Sequence, residues 1–200
     1  MSEQKVKDLK KDIYMVMHKA QSMLELTEDG FMKNRVASLD EADEIANEIR
    51  VKEDSLTAAL AAMAAASNDA RSILGVPGHI EKIAASIKRI NDNSRERIRE
   101  GLLFSDKALD ETGRLFARTR EALKKAGEAA VTGAPATIDA VVAESDTLGR
   151  MANDFATAHE DRLVTGECSP KSSSNYLCIL YAFEEMGAHI KNTARKLAGK

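Results

Sequence analysis

The sequence is poor in the residues that build β-structure. Its 200 residues include no tryptophan, five phenylalanines, three tyrosines and three prolines. Continuous runs of valine, threonine and aromatic residues, which favour pleated strands, are missing. Alanine, leucine, glutamate, lysine and methionine dominate instead, and all of these are good helix formers. We therefore predict an all-α protein.

The sequence also lacks an excess of charge and a long apolar segment. The formal net charge is −3, whereas nucleic-acid-binding domains carry a basic excess or stripe, so we do not expect nucleic acid as a partner. No window approaches eighteen uncharged apolar residues, and the alanine-rich run 56–66 is too short to span a bilayer. The first residues form no apolar signal region. We expect a cytoplasmic protein without a membrane-spanning segment in this chain.

Motifs that carry chemistry are scarce. The two cysteines, Cys168 and Cys178, lack the further ligands that a zinc site would need, and in a reducing compartment we expect free thiols. The segment Gly75–Gly78 has neither the length nor the lysine of a phosphate-binding loop. No serine or cysteine nucleophile with a partner acid stands out. We therefore expect no enzymatic activity.

Apolar residues recur at three- and four-residue steps in six segments, as they do on one face of a helix. The first predicted helix runs from Lys5 to about Glu28, and Gly30 ends it. The second begins at a capping box formed by Ser38 and Glu41. A loop or broken segment over 68–78 follows it. The remaining helices are predicted over 80–101, from Ser105 to the break at Gly133, from Pro135 to about Leu163, and over 170–197.

The two halves of the chain share one plan. Each has a long helix, a short turn, a second long helix, a loop ending near a proline (Pro77 or Pro170) and a third helix. A repeat of this length indicates a duplicated three-helix unit and not a short-repeat solenoid. We predict one unit over residues 1–101 and another over 102–200. Their six long helices should pack nearly antiparallel, because the connections are short.

The C-terminal part of the chain carries a recognisable pattern. A helix ends near Leu163, a serine-rich segment follows, and a long amphipathic helix then closes the chain. This hairpin resembles the closing hairpin of PhoU-type domains, in particular the cytosolic PhoU-type domains attached to bacterial sodium/phosphate cotransporters. The matching residues are His159, Arg162, Leu163, Gly166, Cys168, Tyr176, Leu177, Ile179, Leu180, Glu184, Met186, Gly187, His189, Asn192 and Ala194.

The resemblance implies four positions for metal-binding acids. PhoU-type domains carry Glu/Asp-x-x-x-Asp motifs on two helices of each half, and residues four apart can direct two carboxylates at one cation. The second carboxylate is missing from every corresponding pair here, and Glu81 and Glu184 alone are left. We expect no metal or other cofactor; the alternative is one degenerate metal site built on these two glutamates. The corresponding pairs are Ala42/Ala46, Glu81/Ala85, Ser145/Gly149 and Glu184/Ala188.

Two histidines have both a structural and a functional interpretation. Glu185 and His189 form the one helical carboxylate–imidazole pair at four-residue spacing, which we interpret as a surface pair and, alternatively, as the start of a metal site. His159 falls on the inward face of the fifth helix, where we expect a hydrogen-bonded core or edge histidine and not a catalytic one.

The alignment of the first and third motif positions can shift by one helical turn. The acids within that distance are Asp43, Glu44, Glu144 and Asp146.

Basic residues gather on two helices and alternate with acids such as Glu111. Such mixed-charge faces are typically solvated, and we predict this here. Alternatively, the pairs Arg95/Arg99 and Arg114/Arg118 meet anionic lipid head groups or an acidic partner. The two clusters are Lys88, Arg89, Arg95, Arg97 and Arg99, and Arg114, Arg118, Arg120, Lys124 and Lys125.

From the resemblance we expect a non-catalytic regulatory or interaction module of phosphate transport. It would act at the cytosolic side of a membrane phosphate transporter, either fused to it or as a separate protein, through packed helices. The long helical faces are also compatible with a homo-oligomer. One alternative is a metal-binding helical-bundle protein, although the sequence lacks the Glu-x-x-His motifs of ferritin-like scaffolds. The other is a generic helical adaptor.

Overall fold

The computed structural model describes residues 2–199, with side chains from residue 4 onward. Within this range the chain forms six long helices, one short helix and no strand, so the predicted all-α fold is confirmed. None of these helices is both long and apolar enough to cross a bilayer. The helices are α1 (Ser2–Lys33), α2 (Val36–Ala64), α3 (Asn68–Ile73), α4 (Val76–Arg99), α5 (Asp106–Thr132), α6 (Pro135–Val164) and α7 (Pro170–Leu197).

The packing of the helices follows the duplicated plan. In the first half α1, α2 and α4 contact one another, and in the second half α5, α6 and α7 do the same. The halves meet along α1–α5 and α4–α7. The first and third long helices of each half therefore form the middle of the bundle, and α2 and α6 lie on its outer sides.

A single cluster of buried apolar side chains extends through both halves. Phe31 of α1 lies 5.9 Å from Phe116 of α5, measured between ring centroids, and Phe116 packs edge-on against Phe183 of α7 at 5.0 Å. Burial of each such side chain stabilises the fold by roughly 1.5–3 kcal/mol. Because the core is shared, the division into units at 1–101 and 102–200 stays a prediction about the repeat.

Several predicted helix ends are confirmed. Pro170 lies in the first turn of α7, as predicted. Pro77 lies in the equivalent place of α4, which begins at Val76 and not at the predicted residue 80. Ser105 caps α5 by accepting a hydrogen bond from the Ala108 amide at 3.2 Å. Gly133 ends α5 in the left-handed conformation, with φ of 61°. Proline at a helix start and glycine just past a helix end are strong local signals.

The predicted end of α1 at Gly30 is wrong. The helix continues to Lys33, and Asn34 takes the left-handed conformation there with φ of 55°. The Arg35 amide donates to the Gly30 carbonyl at 3.0 Å, which closes the helix end. Gly30 has a different role, because a β-carbon at this position would lie 2.3 Å from Leu39 Cδ2. The glycine allows α2 to approach α1 closely.

The predicted capping box at the start of α2 is also wrong. The helix begins at Val36, and no side chain caps it. Ser38 instead donates from Oγ to Asp29 Oδ2 at 2.7 Å. Hydrogen bonds from Lys33 and then from Ser38 hold the pKa of Asp29 below its usual value. The two-residue turn brings the end of α1 next to the start of α2. The hydrogen bond from Ser38 to Asp29 links the two helices there.

The segment predicted as a loop over 68–78 contains a short helix. Ser67 caps α3 by accepting from the Ala70 amide at 3.2 Å, and Ala70 and Ile73 are buried. These two apolar side chains are three residues apart and therefore share a helix face. Gly75 separates α3 from α4.

Replacing Gly30 with alanine should destabilise the protein, because the new methyl group would clash with Leu39. We expect a loss of about 1–3 kcal/mol in the free energy of unfolding, measured by urea denaturation. Gly149→Ala is the matched control, since a β-carbon at this helical position of α6 meets nothing within 4 Å. This control should leave stability unchanged or raise it by up to about 1 kcal/mol. Equal effects of the two substitutions would contradict the packing role of Gly30.

Candidate functional site

The motif positions of the second half lie together in one groove. Ser145 and Gly149 of α6 face Glu184 and Ala188 of α7 across an open groove of about 440 Å³, which we name the α6/α7 groove. Three of these four positions carry the small residues serine, glycine and alanine, which leave the groove open. These four positions of the second half therefore border one groove, and their correspondence to metal-binding acids stays a prediction.

The α6/α7 groove carries more positive than negative side chains. Arg150, Lys191 and Arg195 line it together with Asp146 and Glu184. Lys191 donates to Asp146 at 2.5 Å, so this acid is already neutralised. Glu184 is exposed and has no ion-pair partner in the described part of the chain. Beyond that ion pair, one carboxylate faces the two positive side chains of Arg150 and Arg195, and such a groove is a poor site for a cation because like charges repel.

The motif positions of the first half line a second groove between α2 and α4, of about 130 Å³, which we name the α2/α4 groove. Ala46, Glu81 and Ala85 border it, whereas Ala42 is buried in the core. Lys82 lies 3.7 Å from the Glu81 carboxylate. Further basic residues at this groove are Arg50 and Lys88.

The acids close to the motif positions are largely committed to ion pairs. Arg95 donates to Asp43 at 2.9 Å, and Arg118 donates to Glu144 at 2.7 Å. Glu44 is exposed on α2. Among residues 2–199, no group of three or more histidine, cysteine, aspartate or glutamate side chains is arranged to hold a metal ion.

Two of the residues that carry the resemblance to closing hairpins, Arg162 and Tyr176, bind a buried carboxylate. Glu111 of α5 is 1% exposed. Both terminal nitrogens of Arg162 donate to it, at 3.1 and 2.8 Å, and Tyr176 Oη donates to it at 2.6 Å. Burial, followed by the hydrogen bond to Glu111, raises the pKa of Tyr176 well above its usual value. This Glu111 clamp joins α5, α6 and α7.

The expectation that Glu111 lies on a solvated face is wrong. The spacing along α5 carried the signal, because Glu111 lies three residues after Ala108 and four before Leu115, and all three residues are buried on one helix face. A carboxylate on an inward stripe needs a charged partner. The matching arginine is 51 residues away in the chain, so the sequence did not reveal it.

Arg97 is likewise buried, contrary to the predicted solvated basic face. Its guanidinium donates to the Phe31 carbonyl and, at 2.7 Å, to Asn34 Oδ1. It also lies 4.4 Å from the Phe31 ring centroid, a cation–π contact. Arg97 thus donates hydrogen bonds to one backbone carbonyl and one side-chain oxygen at the end of α1.

Other arginines of the two basic clusters pair with acids at the surface, as expected for mixed-charge faces. Arg95 bonds to Asp40 in addition to Asp43, and Arg89 binds the Glu185 carboxylate through both terminal nitrogens. These pairs leave fewer free cations for an anionic surface.

The predicted inward position of His159 is confirmed. It is buried, and it packs edge-on against Tyr176 with the ring centroids 4.8 Å apart. The expected hydrogen bond is wrong, since neither ring nitrogen bonds to an atom in the described part of the chain. Burial first, and then the charge of Arg162, lowers the pKa of His159. His159 lines a pocket of about 80 Å³ beneath Leu103.

Both cysteines are free thiols in the described structure, as expected. Cys168 is half-buried in the pocket that His159 lines, and Cys178 is exposed on α7.

Experimentally determined structures of PhoU proteins share this arrangement of helices. The phosphate transport system regulatory protein PhoU from Streptococcus pneumoniae has a TM-score of 0.86 at 10% identity, over 98% of this chain and 95% of its own. PhoU from Pseudomonas aeruginosa has a TM-score of 0.86 at 15% identity, over 98% and 97%. A putative PhoU-like phosphate regulatory protein from Shewanella oneidensis has a TM-score of 0.60 at 16% identity, over 95% and 94%.

The class of protein defined by these observations is a duplicated three-helix bundle with an interhelical groove in each half. No family model matches the sequence, and no curated protein matches it significantly. The agreement in structure extends over nearly the whole chain. This chain therefore has the PhoU fold.

Replacing Glu111 with glutamine should leave the guanidinium of Arg162 without its counter-charge in a largely buried place. We expect a loss of about 3 kcal/mol in the free energy of unfolding, measured by chemical denaturation. Glu121→Gln on the exposed face of the same helix is the control and should change stability by no more than about 0.5 kcal/mol. A Glu111→Gln variant as stable as this control would show that the clamp contributes little.

Acidification should destabilise the protein partly through His159. Its pKa is lower in the folded state, so the unfolded state binds the proton more tightly. The free energy of unfolding should therefore fall as the pH decreases from about 7.5 to about 5.5, through the ordinary histidine range. The charged groups acting on the ring are Arg162, Glu111 and Glu160.

The measurement is guanidinium denaturation across this pH range for the wild type and His159→Gln. The variant should lose less stability on acidification, whereas His18→Gln, at an exposed position of α1, should follow the wild type. An unchanged pH dependence in His159→Gln would contradict the assignment.

Proposed function

We propose that this chain is a non-catalytic regulatory module of phosphate transport that acts by contact with a membrane phosphate transporter at the cytoplasmic side. The observation that carries the proposal is the PhoU fold over nearly the entire chain, shared with a phosphate transport system regulatory protein. The module is either part of the transporter's own chain or a separate protein. Self-association through its long helical faces is compatible with this role.

The composition of the grooves supports a role without bond-making. Three of the four acids near the motif positions pair with arginine or lysine, and alanine, serine or glycine fills most of the motif positions. Glu81 and Glu184 belong to different grooves, so they do not converge on one ion. The proposal therefore includes that neither groove binds a metal cluster.

The closing hairpin supports the same assignment from the sequence side. His159, Arg162 and Tyr176, which carry the resemblance to PhoU-type hairpins, meet at or beside the Glu111 clamp. The shared pattern thus has a physical role in holding α5, α6 and α7 together. A regulatory module that works through packed helices needs such rigid junctions in order to transmit contact at one face to another.

Deleting the coding region of this chain should change the rate of phosphate uptake by the cell, measured with radiolabelled phosphate at low and high external phosphate. Re-expression of the wild-type chain should restore the original rate, and so should Glu81→Ala/Glu184→Ala, because the proposal gives these remnants no metal-binding role. Unchanged uptake after deletion would refute the link to phosphate transport. Failure of the double variant to restore uptake, while it folds normally, would favour a metal-dependent role.

A further inference from the structure

Two histidines from opposite halves of the chain meet between α4 and α7. His79 lies in the first turn of α4, and His189 lies in α7, 110 residues further along the chain. Their Nδ1 atoms are within hydrogen-bonding distance at 3.3 Å, and the ring centroids are 5.5 Å apart. Both rings are half-buried. The contact thus lies at the junction along which the two three-helix units touch.

A hydrogen bond between two imidazole rings depends on how many protons the rings hold. A neutral ring has one N–H donor and one acceptor nitrogen, whereas a protonated ring has two donors and no acceptor. Two neutral rings can therefore form the bond, and so can one neutral and one protonated ring, whose charge strengthens it. Two protonated rings place an N–H on each side of the contact and carry like charges, so the bond is lost and the rings repel each other.

The surroundings of His79 oppose its protonation. Burial is the largest influence and lowers its pKa, followed by the charge of His189 and then that of Lys196. The Lys196 side chain reaches the start of α4, where its Cε lies 3.8 Å from the place of a β-carbon on Gly75. The positive end of the helix dipole also disfavours a cation in the first turn. His79 is therefore the ring that stays neutral when the pair holds one proton.

His189 is the better place for a single proton. Burial is the largest influence and lowers its pKa, while Glu185 favours the charged ring, Lys82 opposes it and Glu81 favours it. Arg89 binds the Glu185 carboxylate, and Lys82 lies 3.7 Å from that of Glu81, so both attractions are weakened. The pair thus accepts a first proton on His189 and resists a second.

The other helices packed against α4 and α7 do not favour a second proton. Arg50 of α2 borders the α2/α4 groove together with Glu81, and Asp146 of α6 is neutralised by Lys191. Arg71 of α3 is a further cation and donates to a backbone carbonyl. Helices α1 and α5 meet α4 and α7 along the shared apolar core.

We propose that the contact between His79 and His189 is a pH-sensitive link between the two halves of the bundle, closed while the pair holds no more than one proton and open once both rings are protonated. Both pKa values are lowered in the folded protein, so the separated rings bind protons more tightly. The link is therefore complete above the ordinary histidine pKa of about 6.5 and is lost as the pH falls below it. Its opening releases the start of α4 from α7, and it does not depend on the proposed role in phosphate transport.

The first measurement follows the four histidines by NMR while the ¹⁵N-labelled full chain is titrated from about pH 8 to about pH 4.5. His79 and His189 should titrate in two separate steps, because each ring raises the cost of protonating the other. In His189→Gln the titration midpoint of His79 should rise by at least about one pH unit. His18→Gln should leave both steps unchanged. A single common step in the wild type, or an unchanged His79 midpoint in His189→Gln, overturns the proposal.

The second measurement locates the opening by hydrogen exchange of the full chain at about pH 7.5 and about pH 5.5, corrected for the pH dependence of exchange itself. On acidification, amides in the first turns of α4 and around His189 should become about tenfold less protected, since the released ring takes up a proton below its ordinary pKa. Glutamine side chains can pair without titrating, so His79→Gln/His189→Gln should keep the same protection at both pH values.

The matched control for hydrogen exchange is His159→Gln, which should lose protection at α4 and α7 as the wild type does. Circular dichroism establishes that each variant is folded. Equal protection of this junction at both pH values in the wild type, or the same loss in the double variant, overturns the proposal.

Discussion

The shared apolar core is the constraint on which the rest of this structure depends. Each half consists of three long amphipathic helices, and the cluster formed by their buried faces continues across α1–α5 and α4–α7 without interruption. Alanine and glycine at several contacts allow the helices to approach closely, as at Gly30. The aromatic contact between Phe31 and Phe116 crosses the junction directly. The contact between His79 of α4 and His189 of α7 lies at this junction, whereas each groove lies within one half.

Buried charged side chains help to fix the positions of the core helices relative to one another. Glu111 is held by Arg162 and Tyr176, and Arg97 fills the end of α1. Such groups are costly to bury unless each has partners with good geometry. Each of these side chains bonds across two or more elements and therefore fixes their relative positions. The closing-hairpin pattern is, in this chain, a pattern of such internal contacts.

The two grooves and the histidine pair differ in the polar contacts that their side chains make. The grooves keep the shape of a site but present unlike charges that largely pair with one another. The pair His79 and His189 instead forms a polar contact between the two halves, with the Nδ1 atoms 3.3 Å apart. In a bundle of two similar halves, a contact between them is well placed to control how tightly the halves hold together.

The sequence by itself determined the helical class, the six long helices, the duplicated plan and four motif positions that lie in two grooves. The helical class, the helices and the plan rest on apolar periodicity, on proline at helix starts and on glycine at helix ends, which are local signals. The motif positions rest on the resemblance to PhoU-type domains. The fold class could be predicted from the sequence for that reason. The absence of paired acids could also be seen there, because it depends only on which residue occupies each position.

Only the tertiary structure decided which polar residues meet. Glu111 and Arg162 are 51 residues apart, and His79 and His189 are 110 apart, so no local pattern connects them. The role of Gly30 was hidden for the same reason, since a glycine that ends a helix and one that admits a neighbouring leucine look alike in the sequence. Charge burial depends on partners that the chain brings together only when it folds.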